Sequence, residues 1–190
     1  MTFGLTSCSI SGDVPRDDDE ETTEEETEDE TEESEAETEE ETYPTEEYNG
    51  RGLRFHTTDR EGKRYDESIF AKAKVTMINF WEPWCGYCVE EMPALQQLAD
   101  KYKDKGFQVI GIYSDMTMED DVDDILGDGN ISYQILQYST DFDAYNTGYM
   151  PTTIFVDSSG NLITPPGRDS IMIGPDTYEG WESVITSILK

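Results

Sequence analysis

Residues 75–81, Val-Thr-Met-Ile-Asn-Phe-Trp, form a short run rich in β-branched and aromatic side chains, the pattern of a strand buried on both faces. Behind it the period changes. Cys88, Met92, Leu95, Ala99 and Tyr102 recur at spacings of four and three, which predicts an amphipathic helix ending before Gly106, with Lys101, Lys103 and Lys105 near its negative pole. Pro93 falls inside that helix, where it removes a hydrogen bond and crowds the carbonyl of Val89, so a kink is expected. Residues 107–113, Phe-Gln-Val-Ile-Gly-Ile-Tyr, read as a second buried strand, and the two strands with the helix make a β-α-β unit with a right-handed crossover.

Further on, residues 119–126 place Val122, Ile125 and Leu126 on one face of an acidic segment, a short surface helix closed by Gly127. Residues 141–145 allow another helical turn. Residues 152–157, the turn at 158–161 and Leu162-Ile163 read as a β-hairpin. At the C-terminus, Asp176 with Glu179 three residues on has the capping-box pattern, and Tyr178, Trp181, Ile185 and Ile188 line one face of a last helix. Leu53 and Phe55, a turn at Arg60-Glu61-Gly62, and Tyr65 suggest an extra N-terminal hairpin. The sum is an α/β domain, a mixed central sheet flanked by helices.

Charge changes the picture at one end of the chain. The 190 residues carry 44 acidic and 13 basic side chains, a net charge of −31, and no stretch has a basic surplus, which excludes nucleic acid as a general partner. Residues 17–47 hold 20 acids among 31 residues, most of the others being Thr, and nothing larger than Ala36 precedes Tyr43 on the apolar side. Such a segment cannot bury enough apolar area to offset its ordering entropy, so residues 1–47 are expected to be a disordered acidic tether and residues 48–190 the folded domain. The tether lacks the Asp/Gly spacing of a calcium loop. The folded part is long enough to bury its own core without a disulfide or metal staple.

No run of 18 apolar residues occurs, so no segment of the sequence reads as a membrane span. Leu5-Thr6-Ser7-Cys8 nevertheless has the form of a bacterial lipobox, an apolar residue and two small ones before a cysteine that becomes lipidated. Seven residues precede Cys8, fewer than the basic and apolar regions of a signal peptide occupy, so this reading rests on the four residues and on the spacer behind them. The plainer alternative is a free tail cysteine.

The chemistry lies in Trp84-Cys85-Gly86-Tyr87-Cys88, where the first strand turns into the amphipathic helix. Cys85 there meets the positive end of the helix dipole and unpaired N–H groups, which favour the thiolate. Cys88, one turn on, falls on the apolar face and is the shielded partner able to attack a mixed disulfide that Cys85 has made. A zinc site is the competing reading, but four ligands are needed and the other candidates are Cys8 and the single His56, itself expected on a surface strand. Two inert core cysteines would sit inside an element rather than at its mouth. Trp84 is a core aromatic or, beside Cys85, a wall of a docking groove.

The run from Asn79 to Pro93, Asn-Phe-Trp-Glu-Pro-Trp-Cys-Gly-Tyr-Cys-Val-Glu-Glu-Met-Pro, with Tyr149-Met-Pro-Thr-Thr-Ile-Phe-Val-Asp157 downstream, resembles the thioredoxin superfamily, and within it the TlpA/ResA-like extracytoplasmic thiol–disulfide oxidoreductases. The resemblance covers residues 50–190. It implies a thioredoxin fold with an N-terminal β-hairpin and a helical insertion. Pro151 matches the family's cis-proline, which faces the CxxC and presents the backbone of Met150 to an extended substrate segment. Trp84, Gly86 and Tyr87 would complete that binding surface. Glu91, three residues after Cys88, matches an acidic residue these proteins keep beside the site; an exposed helical charge is the bland alternative.

Two departures bear on mechanism. Asn79 stands where cytosolic thioredoxins have a buried Asp, so a base, if needed, would be Glu91 or Glu82. Gly86-Tyr87 replaces Gly-Pro between the cysteines, a position that tunes redox potential. The implied function is reduction of disulfides in exported proteins by a monomer that needs no cofactor or metal. A lipid anchor would hold it at the outer face of the membrane, and a membrane-embedded donor would re-reduce it, as in cytochrome c maturation or sulfoxide repair. A dithiol oxidase of opposite flux and a non-catalytic peptide-binding module are the alternatives. A peroxiredoxin would need a Thr-x-x-Cys context that neither Cys85 nor Cys88 has.

Overall fold

A computed structural model of the chain describes residues 52–189, so residues 1–47, expected from the sequence to be an acidic tether, and Cys8 with them lie outside the described residues. The predicted N-terminal hairpin is present as β1 (His56–Thr58) and β2 (Arg64–Asp66), paired antiparallel. Leu53 and Phe55 precede β1 instead of forming its strand. A six-residue 3-10 turn, Glu67–Lys72, capped by the Asp66 carboxylate on Ser68 N–H, leads into β3 (Val75–Phe80). Then follow α1 (Gly86–Tyr102), β4 (Phe107–Tyr113), α2 (Glu119–Asp128), β5 (Gln134–Gln137), β6 (Thr152–Asp157), β7 (Leu162–Ile163), β8 (Ile171–Ile173) and α3 (Tyr178–Ile188).

The main sheet runs β5-β4-β3-β6-β7, with β8 also paired to β6. β3, β4 and β5 are parallel, as a helical crossover between strands requires, and β6 runs antiparallel to β3. β3 is buried along its whole length and serves both faces in alternation. Val75, Met77 and Trp81 join Met92, Leu95 and Leu98 of α1 and Trp181, Val184 and Ile185 of α3 in one core. Ile78 and Phe80 point into the other, where Phe55, Phe70 and Phe142 pack ring against ring. The N-terminal segment thus covers a sheet face: Leu53 N–H donates to the Gly160 carbonyl at 2.7 Å, and Gly160 takes a φ of +78° in the β6–β7 turn.

α1 carries Pro93 inside it and ends before Gly106 as the spacing predicts, in a 3-10 turn over Lys103–Lys105 with Gly106 at φ +90°. Other elements differ from the sequence pattern in particular places. α2 outlasts Gly127: its N–H groups find carbonyls until Gly129, the C-cap. α3 is capped by Thr177, whose hydroxyl accepts from Gly180 N–H, and not by Asp176, which is occupied by Arg168 at 2.8 Å. β5 and β8 are strands the pattern did not predict. Each has four residues or fewer, too short for alternation to declare itself.

The strand register sets up the site. Asn79 of β3 lies opposite Gly111 of β4 and Thr153 of β6, so these three form a row across the sheet on the face that carries α1. α2 lies on the same side, its buried Val122 joining the α1 core. The segment between β5 and β6 carries a 3-10 turn, Thr140–Tyr145, whose Phe142 fills the opposite core.

Candidate active site

β3 ends at Phe80, and five residues later Cys85 becomes the N-cap of α1 with an extended backbone, φ −91° and ψ 96°. The turn is fixed by Cys85 N–H donating to the Glu82 carbonyl at 2.9 Å. Cys85 Sγ accepts from Cys88 N–H at 3.3 Å, and no acidic side chain lies in the first turn of α1, so the sulfur is the group that meets the positive pole of the helix. Cys85 and Cys88 are joined as a disulfide. Cys85 retains 8% exposure, while Cys88 is fully buried in the core beneath α1.

Two aromatic side chains adjoin this bond: Trp84 is 62% exposed and Tyr87 68%, values that rule out Trp84 as a core residue, and Tyr149, two residues before Pro151, is 67% exposed. Gly86 opens α1, and a Cβ there would meet nothing within 4 Å. The Met150–Pro151 peptide is cis. Gly174 N–H donates to the Pro151 carbonyl at 2.8 Å, extending the β6–β8 pairing, and Thr152 Oγ1 donates to the Tyr149 carbonyl. The backbone N–H and C=O of Met150 make no hydrogen bond among the described residues, leaving one donor and one acceptor for an added strand.

Glu91 is buried, not an exposed helical charge. It hangs from α1 above the Asn79 row and takes three hydrogen bonds: Asn79 Nδ2 to Oε1 at 2.9 Å, Trp181 Nε1 to Oε2 at 3.1 Å, and Asp176 N–H to Oε2 at 3.2 Å. Asn79 Nδ2 also donates to Thr153 Oγ1 at 3.1 Å, while its Oδ1 has no partner among the described residues. Burial pushes the Glu91 carboxyl above its ordinary value; the three donors pull the other way and only partly offset it. A cleft of about 330 Å³ lined by Tyr87, Glu90, Glu91, Pro175 and Asp176 opens beside it. The sequence motif contains Glu91 and Asn79 but not Trp181 and Asp176, which arrive from the far end of the chain; only the core position of Trp181 on its helix hinted at a role.

Glu82, the other candidate base, is committed elsewhere. Its Oε1 accepts from Ser114 N–H at 3.0 Å and from the Ser114 hydroxyl, and Oε2 accepts from Asp115 N–H at 3.0 Å. It ties the turn before Cys85 to the loop after β4. His56 lies in β1, exposed, 3.8 Å from Asp141 and away from this constellation. Cys8 lies outside the described residues.

Among known proteins, the AhpC/TSA family matches residues 51–164. The chain is 30% identical over 141 residues to the thiol-disulfide oxidoreductase ResA of Bacillus thuringiensis, covering 70% of this chain and 74% of that protein. It is 33% identical over 119 residues to ResA of Oceanobacillus iheyensis, covering 62% and 58% respectively. A thiol:disulfide interchange protein of the thioredoxin family from Chlorobium tepidum has the same fold, with a TM-score of 0.60 at 23% identity over 73% of this chain and 95% of that one. The WCGYC turn, the mixed sheet with its N-terminal hairpin and these likenesses agree, and the chain belongs to the AhpC/TSA family as a thioredoxin-fold thiol–disulfide oxidoreductase of the ResA type.

Proposed function

We propose that this oxidoreductase works as a reductant of disulfides in exported proteins, outside the cytoplasm. The observation that carries the reading is the unequal pair: Cys85 at the rim under exposed Trp84 and Tyr87, bonded to a Cys88 with no exposure. In the dithiol state the Cys85 thiolate attacks one sulfur of a client disulfide and expels the other as a thiolate, giving a mixed disulfide. Cys88, losing its proton, then attacks Cys85 Sγ. The client leaves with two thiols, and the Cys85–Cys88 disulfide seen here is the product. A dithiol donor must return two electrons and two protons to the enzyme for the next turnover; the resemblance to ResA makes a membrane-embedded donor the natural source.

Met150 and Pro151 receive the client as an added strand, its free backbone groups meeting those of Met150, while Trp84, Gly86 and Tyr87 form the wall. Glu91 takes the Cys88 proton during resolution, because Asn79 at the strand position cannot. Its raised proton affinity makes it a stronger base than an ordinary glutamate. Residues 1–47 tether the domain, with Cys8 as the lipid attachment.

Replacing Cys88 with Ser tests the order of attack: a mixed disulfide between Cys85 and a client should accumulate, and accumulation through Cys85→Ser instead would reverse the roles. A reduction potential well below about −200 mV supports the reductive direction, and one near −120 mV makes the protein an oxidant.

A further inference from the structure

A second surface lies outside the dithiol and its aromatic rim. Between α1 and α2 a groove of about 390 Å³ runs back from Pro83, two residues before Cys85. Its two walls differ in chemistry. Val89, Met92 and Pro93 give the α1 wall apolar side chains, with Ile125 of α2 on the floor. The other wall carries Asp121, Asp124 and Asp128, whose spacing of three and four residues sets them on one stripe of α2. All three are exposed, and none makes an ion pair or side-chain hydrogen bond among the described residues, in contrast to Asp123 and Glu119, which bind Arg60 at 2.7 Å on another face.

Helix physics gives a reason for only one member of this stripe. An acid in the first turn of a helix is favoured by the dipole, which accounts for Asp121; Asp128 sits in the last turn, at the negative pole, where a carboxylate is disfavoured, and that turn has no basic residue. Asp124 and Asp128 also repel each other at a spacing of four. Asp124 and Asp128 therefore work against the helix that carries them, and a cation brought by a partner removes that cost. Residues 17–47 and a second copy of the chain bring further carboxylates instead.

We propose that this groove docks a basic amphipathic segment of the client protein, apolar side chains on the α1 wall and Lys or Arg against Asp121, Asp124 and Asp128, next to the disulfide that Cys85 attacks. The inference rests on the reading of the protein as a reductase of protein disulfides, and it deepens it: clients are selected by a cationic flank as well as by an extended strand at Met150.

The probe is a synthetic peptide with one internal disulfide and a flank of alternating Leu and Lys pairs, beside a sibling with Lys replaced by Gln. The full chain is compared with the triple variant Asp121→Asn/Asp124→Asn/Asp128→Asn, measuring rates of disulfide reduction at low and high salt. The wild type should reduce the basic peptide roughly tenfold faster than the neutral sibling at low salt, the lower end of electrostatic steering, with the advantage falling as salt rises. The triple variant should lose that advantage and keep its rate on hydroxyethyl disulfide. Asp124→Lys should lose it as well, and more sharply. Equal preference in wild type and triple variant overturns the proposal. Binding of a Ser-for-Cys version of the basic peptide, followed by fluorescence anisotropy, separates the two readings: wild-type binding that the triple variant loses upholds the groove even if no disulfide is reduced. A wild-type dimer in sedimentation at low salt that the triple variant loses would put a second copy there and overturn the assignment.

Discussion

The indole of Trp181 is the most direct handle on Glu91, because it donates to the carboxylate from α3 and not from the helix that carries the cysteines. In Trp181→Phe the donor that reaches Glu91 Oε2 at 3.1 Å is lost, while Asn79 Nδ2 and Asp176 N–H remain. A hydrogen bond to a buried charged group contributes about 1.5–3 kcal/mol, and about 1.4 kcal/mol is tenfold in proton affinity, so Glu91 should hold its proton tenfold more tightly or better. The sign follows from what remains. Desolvation already raises the Glu91 carboxyl, and removing a donor that stabilises the ionised form raises it further. If ionised Glu91 takes the Cys88 proton, the limb on which resolution of the mixed disulfide rises with pH should move to higher pH in Trp181→Phe, with the plateau rate kept.

The assay is the single-turnover rate of mixed-disulfide resolution against pH, started from protein carrying a small thiol on Cys85, alongside the same profile for Glu91→Gln, in which the limb set by Glu91 should vanish. The smaller ring also leaves unfilled core volume, a loss of order 1–3 kcal/mol that equilibrium unfolding measures separately. A Trp181→Phe profile superimposable on the wild type, with Glu91→Gln abolishing the limb, would show that the indole does not tune the carboxylate. An unchanged limb in Glu91→Gln would remove Glu91 from the proton transfer altogether.

Glu91→Gln should also change how stability depends on pH. Between the ordinary glutamate value of 4.5 and the higher value in the fold, the native protein holds a proton the unfolded chain has released, so that contribution is complete below 4.5 and is lost as pH rises through the folded value; urea unfolding should find this decline in the wild type and not in the variant. The variant should still fold, because an Asn79 flip turns its unpartnered Oδ1 toward the new amide. Gly111→Ala should cost about 1–3 kcal/mol by overpacking, since its Cβ would lie 2.7 Å from Ile135 Cδ1, 3.1 Å from Trp81 Nε1 and 3.2 Å from Tyr133 Cε2; unfolding within error of the wild type would mean that the rings yield.

What could be read from the sequence, and what could not, divides by distance along the chain. The β3-α1-β4 unit was legible because residues 75–113 alternate between strand and helix periods without interruption, and the CxxC sits at the junction. The burial of Cys88 followed from its place on the apolar stripe of α1. The cap of α3 did not, because Asp176 and Thr177 are both good capping residues, and the choice depends on Arg168 pairing with Asp176. β5 has two apolar residues, Ile135 and Leu136, one for each core, so neither alternation nor a long apolar run marks it. The environment of Glu91 was least legible of all: a glutamate on a helix is nearly always exposed, and the donors that keep this one inside lie 12, 85 and 90 residues away.

That environment explains how the site can lack a strand carboxylate. Asn79 occupies the row between Gly111 and Thr153, directly under α1, where a carboxylate would be as buried as any in the molecule. An amide there carries no charge to desolvate, and its Nδ2 can donate. The charge is instead carried one layer up, on Glu91, where Asn79, Trp181 and the Asp176 backbone supply three donors from three different elements and a cleft beside Tyr87 and Glu90 gives solvent an approach. A carboxylate in this position can exchange its proton with solvent through the cleft while its donors hold it one helical turn from Cys88. The pair Asn79 and Glu91 therefore acts as one unit. Asn79→Asp would place two carboxylates in hydrogen-bonding contact, a geometry in which both cannot stay ionised, so that unit would share a proton and its titration would belong to neither residue alone.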